Sequence, residues 1–205
     1  MKPHKSGLII WCLESVLMLN YNNITNDFKG DKPSVKVSLA KYYLHEKKRY
    51  YPDGKNVIFD FSEKEYEIAV WLSKTFNENV YLNPRVNYPE GIKTSDYIFK
   101  GERWDLKSII GNSTQVFYHA IYKNKEQSSN FIFDITKSKI NMKSALELAN
   151  VLYGRSDIIF LDKIIILDNN EFMVLKRVWP RWKVSTTTLN KSNIQLLVEY
   201  VKKIC

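Results

Sequence analysis

The chain has 205 residues, 44% of them apolar and 26% charged, with Gly 7 and Pro 6. This composition excludes collagenous, low-complexity and disordered classes and leaves one ordinary domain with extensions. Lys+Arg 31 against Asp+Glu 22 gives a net charge of +9, which favours a polyanionic partner, nucleic acid before membrane. Two cysteines, Cys12 and Cys205, are too few for a disulfide scaffold or a four-thiolate zinc site, so the chain reads as reduced. Residues 1–60 carry 10 basic and 6 acidic groups, 61–135 carry 9 and 10, and 136–205 carry 12 and 6. An acid-rich centre between basic flanks suits an enzyme that holds a cation with carboxylates and grips phosphates around it.

Gly7 to Asn20 follows Lys2 and Lys5 as a signal peptide would, but Glu14 interrupts it and no small-residue cleavage site follows. A buried helix or strand is expected there. No other run approaches the ~20 apolar residues of a membrane span, so the expected location is the cytoplasm. Asn22 to Ser34 (NNITNDFKGDKPS) is rich in turn formers and sets off residues 1–55 as an N-terminal extension. Lys47, Lys48 and Arg49 beside Tyr50 and Tyr51 suit either a nucleic-acid contact or a solvated helix end.

The main domain is expected over 56–178. Val57 to Phe61 reads as a strand, and Ser62 with Glu65 three residues on forms a capping box that opens a helix to about Asn77. Strands follow at Asn79–Leu82, Asp96–Phe99, Trp104–Ile109 and Phe131–Ile135, with a loop over Asn83–Gly91. Helices are expected over Thr114–Lys125 and Met142–Tyr153, and a closing hairpin joins Lys163–Leu167 to Phe172–Arg177. Residues 179–205 form a C-terminal tail ending in an amphipathic helix over Ser192–Ile204. The order predicts an α/β fold with a mixed central sheet flanked by helices.

The chemistry concentrates in one hairpin. Pairing Phe99 with Trp104 across a Lys100–Arg103 turn puts Tyr97, Phe99, Trp104 and Leu106 on one face. Asp96, Ile98, Asp105 and Lys107 then share the other. A one-residue slip scatters the apolar set over both faces, so the core specifies which face each side chain takes. Two carboxylates on adjacent strands suit a hard divalent cation, and phosphodiester hydrolysis needs such an ion to activate water. Lys107 is placed to orient that water or to neutralise the phosphorus centre. Glu65 lies on the helix stripe of Ile68, Ala69, Leu72 and Phe76 and turns toward the sheet, whereas Glu67 points toward Trp71 and Lys74.

Asp, eight residues, then Asp-x-Lys arises by chance about once or twice in a chain this long at average charge content. Its weight comes from the Glu-bearing helix before it and the helix after it. That arrangement resembles the PD-(D/E)XK nuclease superfamily, with Ser95-Asp96 in place of Pro-Asp. The stretches PEGIKTSDYIFKGERWDLKSI, HAIYKNKEQS and NFIFDIT are similar to the C-terminal nuclease toxin domains of CdiA-type contact-dependent inhibition proteins, over about residues 57–178. The resemblance implies a catalytic set of Glu65 or Glu67, Asp96, Asp105 and Lys107, a further helix lysine at Lys123 or Lys125 with Lys125 catalytic, and motif positions at Gln127 and Asp134. Metal ligands would be Glu65, Asp96 and Asp105. It also implies a metal-dependent endonuclease using Mg²⁺, or Mn²⁺ or Zn²⁺, acting on RNA, tRNA in particular, with a cognate immunity protein as partner.

Trp179, Arg181, Trp182 and Lys183 interleave rings with cations as single-strand stacking surfaces do, which makes Arg181 and Lys183, with Lys123 and Gln127, candidate nucleic-acid contacts. His119, in the helix after the hairpin, could serve as acid or base but as a lone histidine among aromatic neighbours reads as structural, and His4 and His45 have no companions at ligand spacing. The rival readings are a non-catalytic nucleic-acid binder, indifferent to chelation, and an immunity-type interaction module without affinity for nucleic acid.

Overall fold

The apolar runs Phe131–Phe133 and Ile164–Leu167 fall in the innermost strands. A computed structural model describes residues 20–28, 36–169 and 171–178. In chain order the strands are β1 (Tyr21–Asn23), β2 (Lys36–Leu39), β3 (Tyr43–His45), β4 (Lys48–Tyr50), β5 (Val57–Ile58), β6 (Asn79–Leu82), β7 (Arg85–Val86), β8 (Tyr97–Phe99), β9 (Glu102–Ser108), β10 (Asn130–Asp134), β11 (Lys163–Asp168) and β12 (Glu171–Arg177). The helices are α1 (Glu63–Phe76), α2 (Val116–Tyr122) and α3 (Met142–Tyr153), with a 3₁₀ turn over Ser156–Ile158.

Eight strands form one mixed sheet in the order β1-β12-β11-β10-β9-β8-β6-β2. Its centre is parallel, with β10 pairing β9 and β11 and Phe131 aligned with both Asp105 and Ile164. Phe131, Ile132, Phe133, Ile164, Ile165 and Ile166 are all fully buried, because helices cover both faces of a parallel core and leave no solvent side to alternate toward. Helix α1 packs Ile68, Ala69, Leu72 and Phe76 over one face, with Tyr97, Phe99 and Trp104. Helices α2 and α3 pack Phe117, Ile121, Ala145, Ala149 and Leu152 over the other. Truncating Leu72, which is fully buried, to Ala would cost about 2–5 kcal/mol.

The expected boundary at residue 55 is corrected by the sheet itself. Residues 21–177 form one compact unit, with the N-terminal segment supplying both sheet edges. β1 runs antiparallel to β12, and β2 runs parallel to β6. These short strands satisfy the backbone groups that the outer strands would otherwise present unpaired. The basic cluster at Lys47–Arg49 lies on the β3–β4 ribbon and its turn rather than at a helix end. Part of the expected 83–91 loop is a strand, since β7 pairs with β5, and the expected strand at Val57–Phe61 shortens to that two-residue ladder outside the main sheet. The Thr114–Lys125 helix shortens to α2, whose first turn has no side-chain cap. The segments expected at Gly7–Asn20 and Ser192–Ile204, and the Trp179–Lys183 cluster, lie outside the described residues, Asn20 excepted.

Candidate active site

Helix α1 begins as its sequence dictates. The Ser62 hydroxyl accepts from the Glu65 N–H at 3.2 Å, and the Glu65 carboxylate reaches back to the Ser62 N–H and, at 2.9 Å, its hydroxyl. Two orphan donors at the helix start are thereby satisfied, worth about 1 kcal/mol. The far end closes on Asn77 in the left-handed conformation, φ 54°, where asparagine is tolerated better than most residues.

The β8–β9 hairpin has a tighter turn than expected. Lys100 and Gly101 both take positive φ, 51° and 74°, and Tyr97 pairs with Trp104, Ile98 with Arg103, and Phe99 with Glu102. A two-residue loop with both central φ values positive matches the twist of the strands. The register is two residues from the expected one. An even shift preserves every side chain's face, so Tyr97, Phe99 and Trp104 are fully buried against α1 while Asp96, Ile98, Arg103, Asp105 and Lys107 share the opposite face. Continuing the register by one pair sets Asp96 opposite Asp105, where the longer turn would have set it opposite Lys107.

Asp105 is 1% exposed. Its Oδ2 meets the Lys107 ammonium as an ion pair but accepts no aligned hydrogen bond. Asp96 Oδ2 accepts the Leu106 N–H at 2.6 Å. Burial pushes both carboxyls above the ordinary carboxylate range, and for Asp96 the charge of Asp105 adds to the effect while the Leu106 N–H opposes it. Glu65 repels both from the end of α1. The Tyr97 hydroxyl donates to the Glu65 carbonyl at 3.0 Å, which pins that turn of the helix to the hairpin.

These groups line one cleft of about 500 Å³ with Arg85, Lys93 and Gln127. Gln127 accepts from Lys107 Nζ at 3.4 Å. Three carboxylates border the cleft, Asp105 fully buried and Asp96 half-buried, and carboxylate oxygens are the donor type that a hard divalent cation prefers. Among the described residues no three such groups already converge as a metal cage. The Glu65 carboxylate is folded onto Ser62 and would have to swing from its cap to join Asp96 and Asp105.

The structure therefore brings Glu65, Asp96, Asp105, Lys107 and Gln127 to one place. Glu67 is exposed and lines a separate depression with Asp134, whose carboxylate pairs with Lys64 at 2.8 Å. Lys123 and Lys125 are exposed and do not line the cleft, and the Lys125 ammonium sits 6.0 Å from the Tyr122 ring centre. The short α2 ends at Tyr122, so both lysines lie in the turn that follows it. Arg181 and Lys183 lie outside the described residues. Sequence reasoning missed Arg85 and Lys93, whose signal was two cations in the stretch just before Asp96.

Residues 93–172 match the family model of the contact-dependent growth inhibition CdiA C-terminal domain. That span holds Asp96, Asp105, Lys107 and Gln127 but not Glu65. One solved structure is similar: the CdiA-CT/CdiI toxin and immunity complex from Burkholderia pseudomallei, at 17% identity and a TM-score of 0.45, covering 69% of this chain and 98% of that one. No curated protein matches the sequence. Among the described residues no helix is long and apolar enough to cross a membrane.

Proposed function

We propose that this protein is a divalent-metal-dependent endonuclease of PD-(D/E)XK type that hydrolyses phosphodiester bonds in RNA, tRNA in particular, and acts as a toxin. The observation that carries the reading is the facing pair of a half-buried Asp96 and a fully buried Asp105, whose charge raises the proton affinity of Asp96, with Lys107 beside them and Glu65 on the same cleft. Such a pair is costly to a fold unless a cation compensates it. The family match over residues 93–172 supports the toxin role, and a toxin of this kind implies a cognate immunity protein.

Asp96 and Asp105, with Glu65 released from its cap, would hold the ion, Mg²⁺ before Mn²⁺ or Zn²⁺. A bound ion supplies water activation and shields the charge that develops on phosphate. The protein's own groups do the rest. Lys107 donates to the attacking water or a non-bridging oxygen, and Gln127 steadies its ammonium. Arg85 and Lys93 on the cleft wall meet the flanking phosphates.

The test is to incubate the protein with total tRNA and with plasmid, each with Mg²⁺ and with EDTA. Mg²⁺-dependent tRNA cleavage, abolished by chelation and by Asp105→Ala, is expected. Cleavage that ignores EDTA, or binding without cleavage, rejects the reading.

A further inference from the structure

The sheet face that carries Asp96 and Asp105 continues past them. Ser38, Tyr81, Ile98 and Arg103 are aligned partners across β2, β6, β8 and β9 and form one row on that face. The neighbouring row holds Asn83, Asp96 and Asp105, joined by the Asn83 N–H donating to the Asp96 carbonyl at 2.9 Å. Two residues along a strand separate the rows, about 6.6 Å.

The first row floors a groove of about 680 Å³, walled by Leu39, Lys41, Tyr43 and Leu44. Lys36, Lys41 and Arg103 line it, and among the described residues lining it there is no carboxylate. One of its rings and two of its apolar groups are open, with Tyr81 39%, Leu44 44% and Leu39 50% exposed. The Arg103 guanidinium lies over the Tyr43 ring, 4.7 Å from its centre, and donates to the Leu44 carbonyl. Tyr43 also links the two depressions, since its hydroxyl donates at 3.1 Å to the carbonyl of Lys93 on the cleft wall.

We propose that this groove binds unpaired nucleotides of the RNA whose adjoining phosphodiester lies in the cleft, a proposal that rests on the endonuclease reading. A base stacks on the open Tyr81 ring, its apolar edge meets Leu39 and Leu44, and Lys36, Lys41 and Arg103 face the phosphates. Cations with exposed rings and no acid are the combination that holds single strands irrespective of sequence. The adjoining row makes the groove and the cleft one continuous track, which selects substrates with an unpaired stretch beside the scissile bond.

The test is fluorescence anisotropy of a labelled single-stranded RNA of roughly 10 nucleotides, within the span of such grooves, in EDTA so that no cleavage intervenes. Tyr81→Ala is expected to weaken binding about tenfold, the loss of one stacked base. Tyr81→Phe should bind as wild type, and Tyr122→Ala, which removes a 43% exposed ring outside the groove, should change nothing. Lys41→Glu on the exposed rim tests the same groove without touching a packed side chain and should weaken binding comparably. RNA that fails to bind, or that binds the Tyr81→Ala and Lys41→Glu proteins as it binds wild type, overturns the groove even where Mg²⁺-dependent cleavage is intact. Binding that depends on Tyr81 in a protein that never cleaves RNA upholds the groove and rejects the endonuclease.

Discussion

Tyr97 holds Glu65 by the backbone: its hydroxyl donates to the Glu65 carbonyl at 3.0 Å, while the next residue back, Asp96, faces Asp105 on the other side of the hairpin. One strand thus anchors the helix with one side chain and presents an acid with its neighbour. Tyr97→Phe keeps the ring in the core and removes this tether. It should cost about 1 kcal/mol of stability and lower cleavage several-fold by loosening Glu65, as read by urea melts and tRNA cleavage on the same preparation.

Asp105→Asn separates chemistry from folding. The substitution is isosteric and removes a fully buried carboxylate whose charge raises the proton affinity of Asp96. Cleavage should disappear, while the thermal midpoint in EDTA stays level or rises, because the site sacrifices stability for function. A lower midpoint would mean that the Lys107 pair, not the repulsion, dominates.

Glu65 and Glu67 are told apart by their amides. Glutamine at the third helical position still closes a capping box, so Glu65→Gln should melt as wild type yet lose cleavage and divalent-ion affinity. Glu67→Gln should leave both unchanged, since Glu67 is exposed away from the cleft. Isothermal titration with Mn²⁺ in the absence of RNA reads the affinity directly.

Lys107→Ala should reduce turnover about a hundredfold, the typical loss of one preorganised transition-state donor, with RNA affinity in EDTA unchanged. An effect confined to affinity would make Lys107 a phosphate anchor.

Acid should loosen the β5–β7 ribbon first. Backbone N–H groups of Val57 and Lys55 lower the Asp53 carboxyl to about 2. A carboxylate depressed in the folded state stabilises above its unfolded value and loses that contribution as pH falls through the folded one. The difference in melting temperature between wild type and Asp53→Ala should therefore be constant above about pH 5 and shrink as pH falls from about 4 toward 2.

The strands and helices that carry long apolar patterns were legible from the residues alone. α3 matches its predicted span, Met142–Tyr153, and β6 matches Asn79–Leu82. Faces proved more legible than pairing. The β8–β9 turn is shorter than its Lys-Gly-Glu-Arg composition suggested, yet period-two alternation still sorted the hairpin's acids from its core. The edge strands β1 and β2 were not legible, because three or four residues paired on one side show little periodicity and the two strands bracket a stretch of turn formers. Glu65 carried two signals, a cap and a cation ligand. The structure shows the first, the carboxylate closing the capping box on Ser62. Lys125 followed from resemblance alone, and it does not line the cleft.

The two faces of β9 have a practical consequence. Trp104 belongs to the interior and Asp105 and Lys107 to the cleft, so the strand's reactive groups can be replaced without disturbing what surrounds them. A doubly substituted Asp105→Asn, Lys107→Ala protein would be an inert copy whose outer surface is otherwise unaltered. On the proposed endonuclease reading, such a copy would serve as bait that captures an intact RNA or a cognate immunity protein without destroying the one or needing the protection of the other.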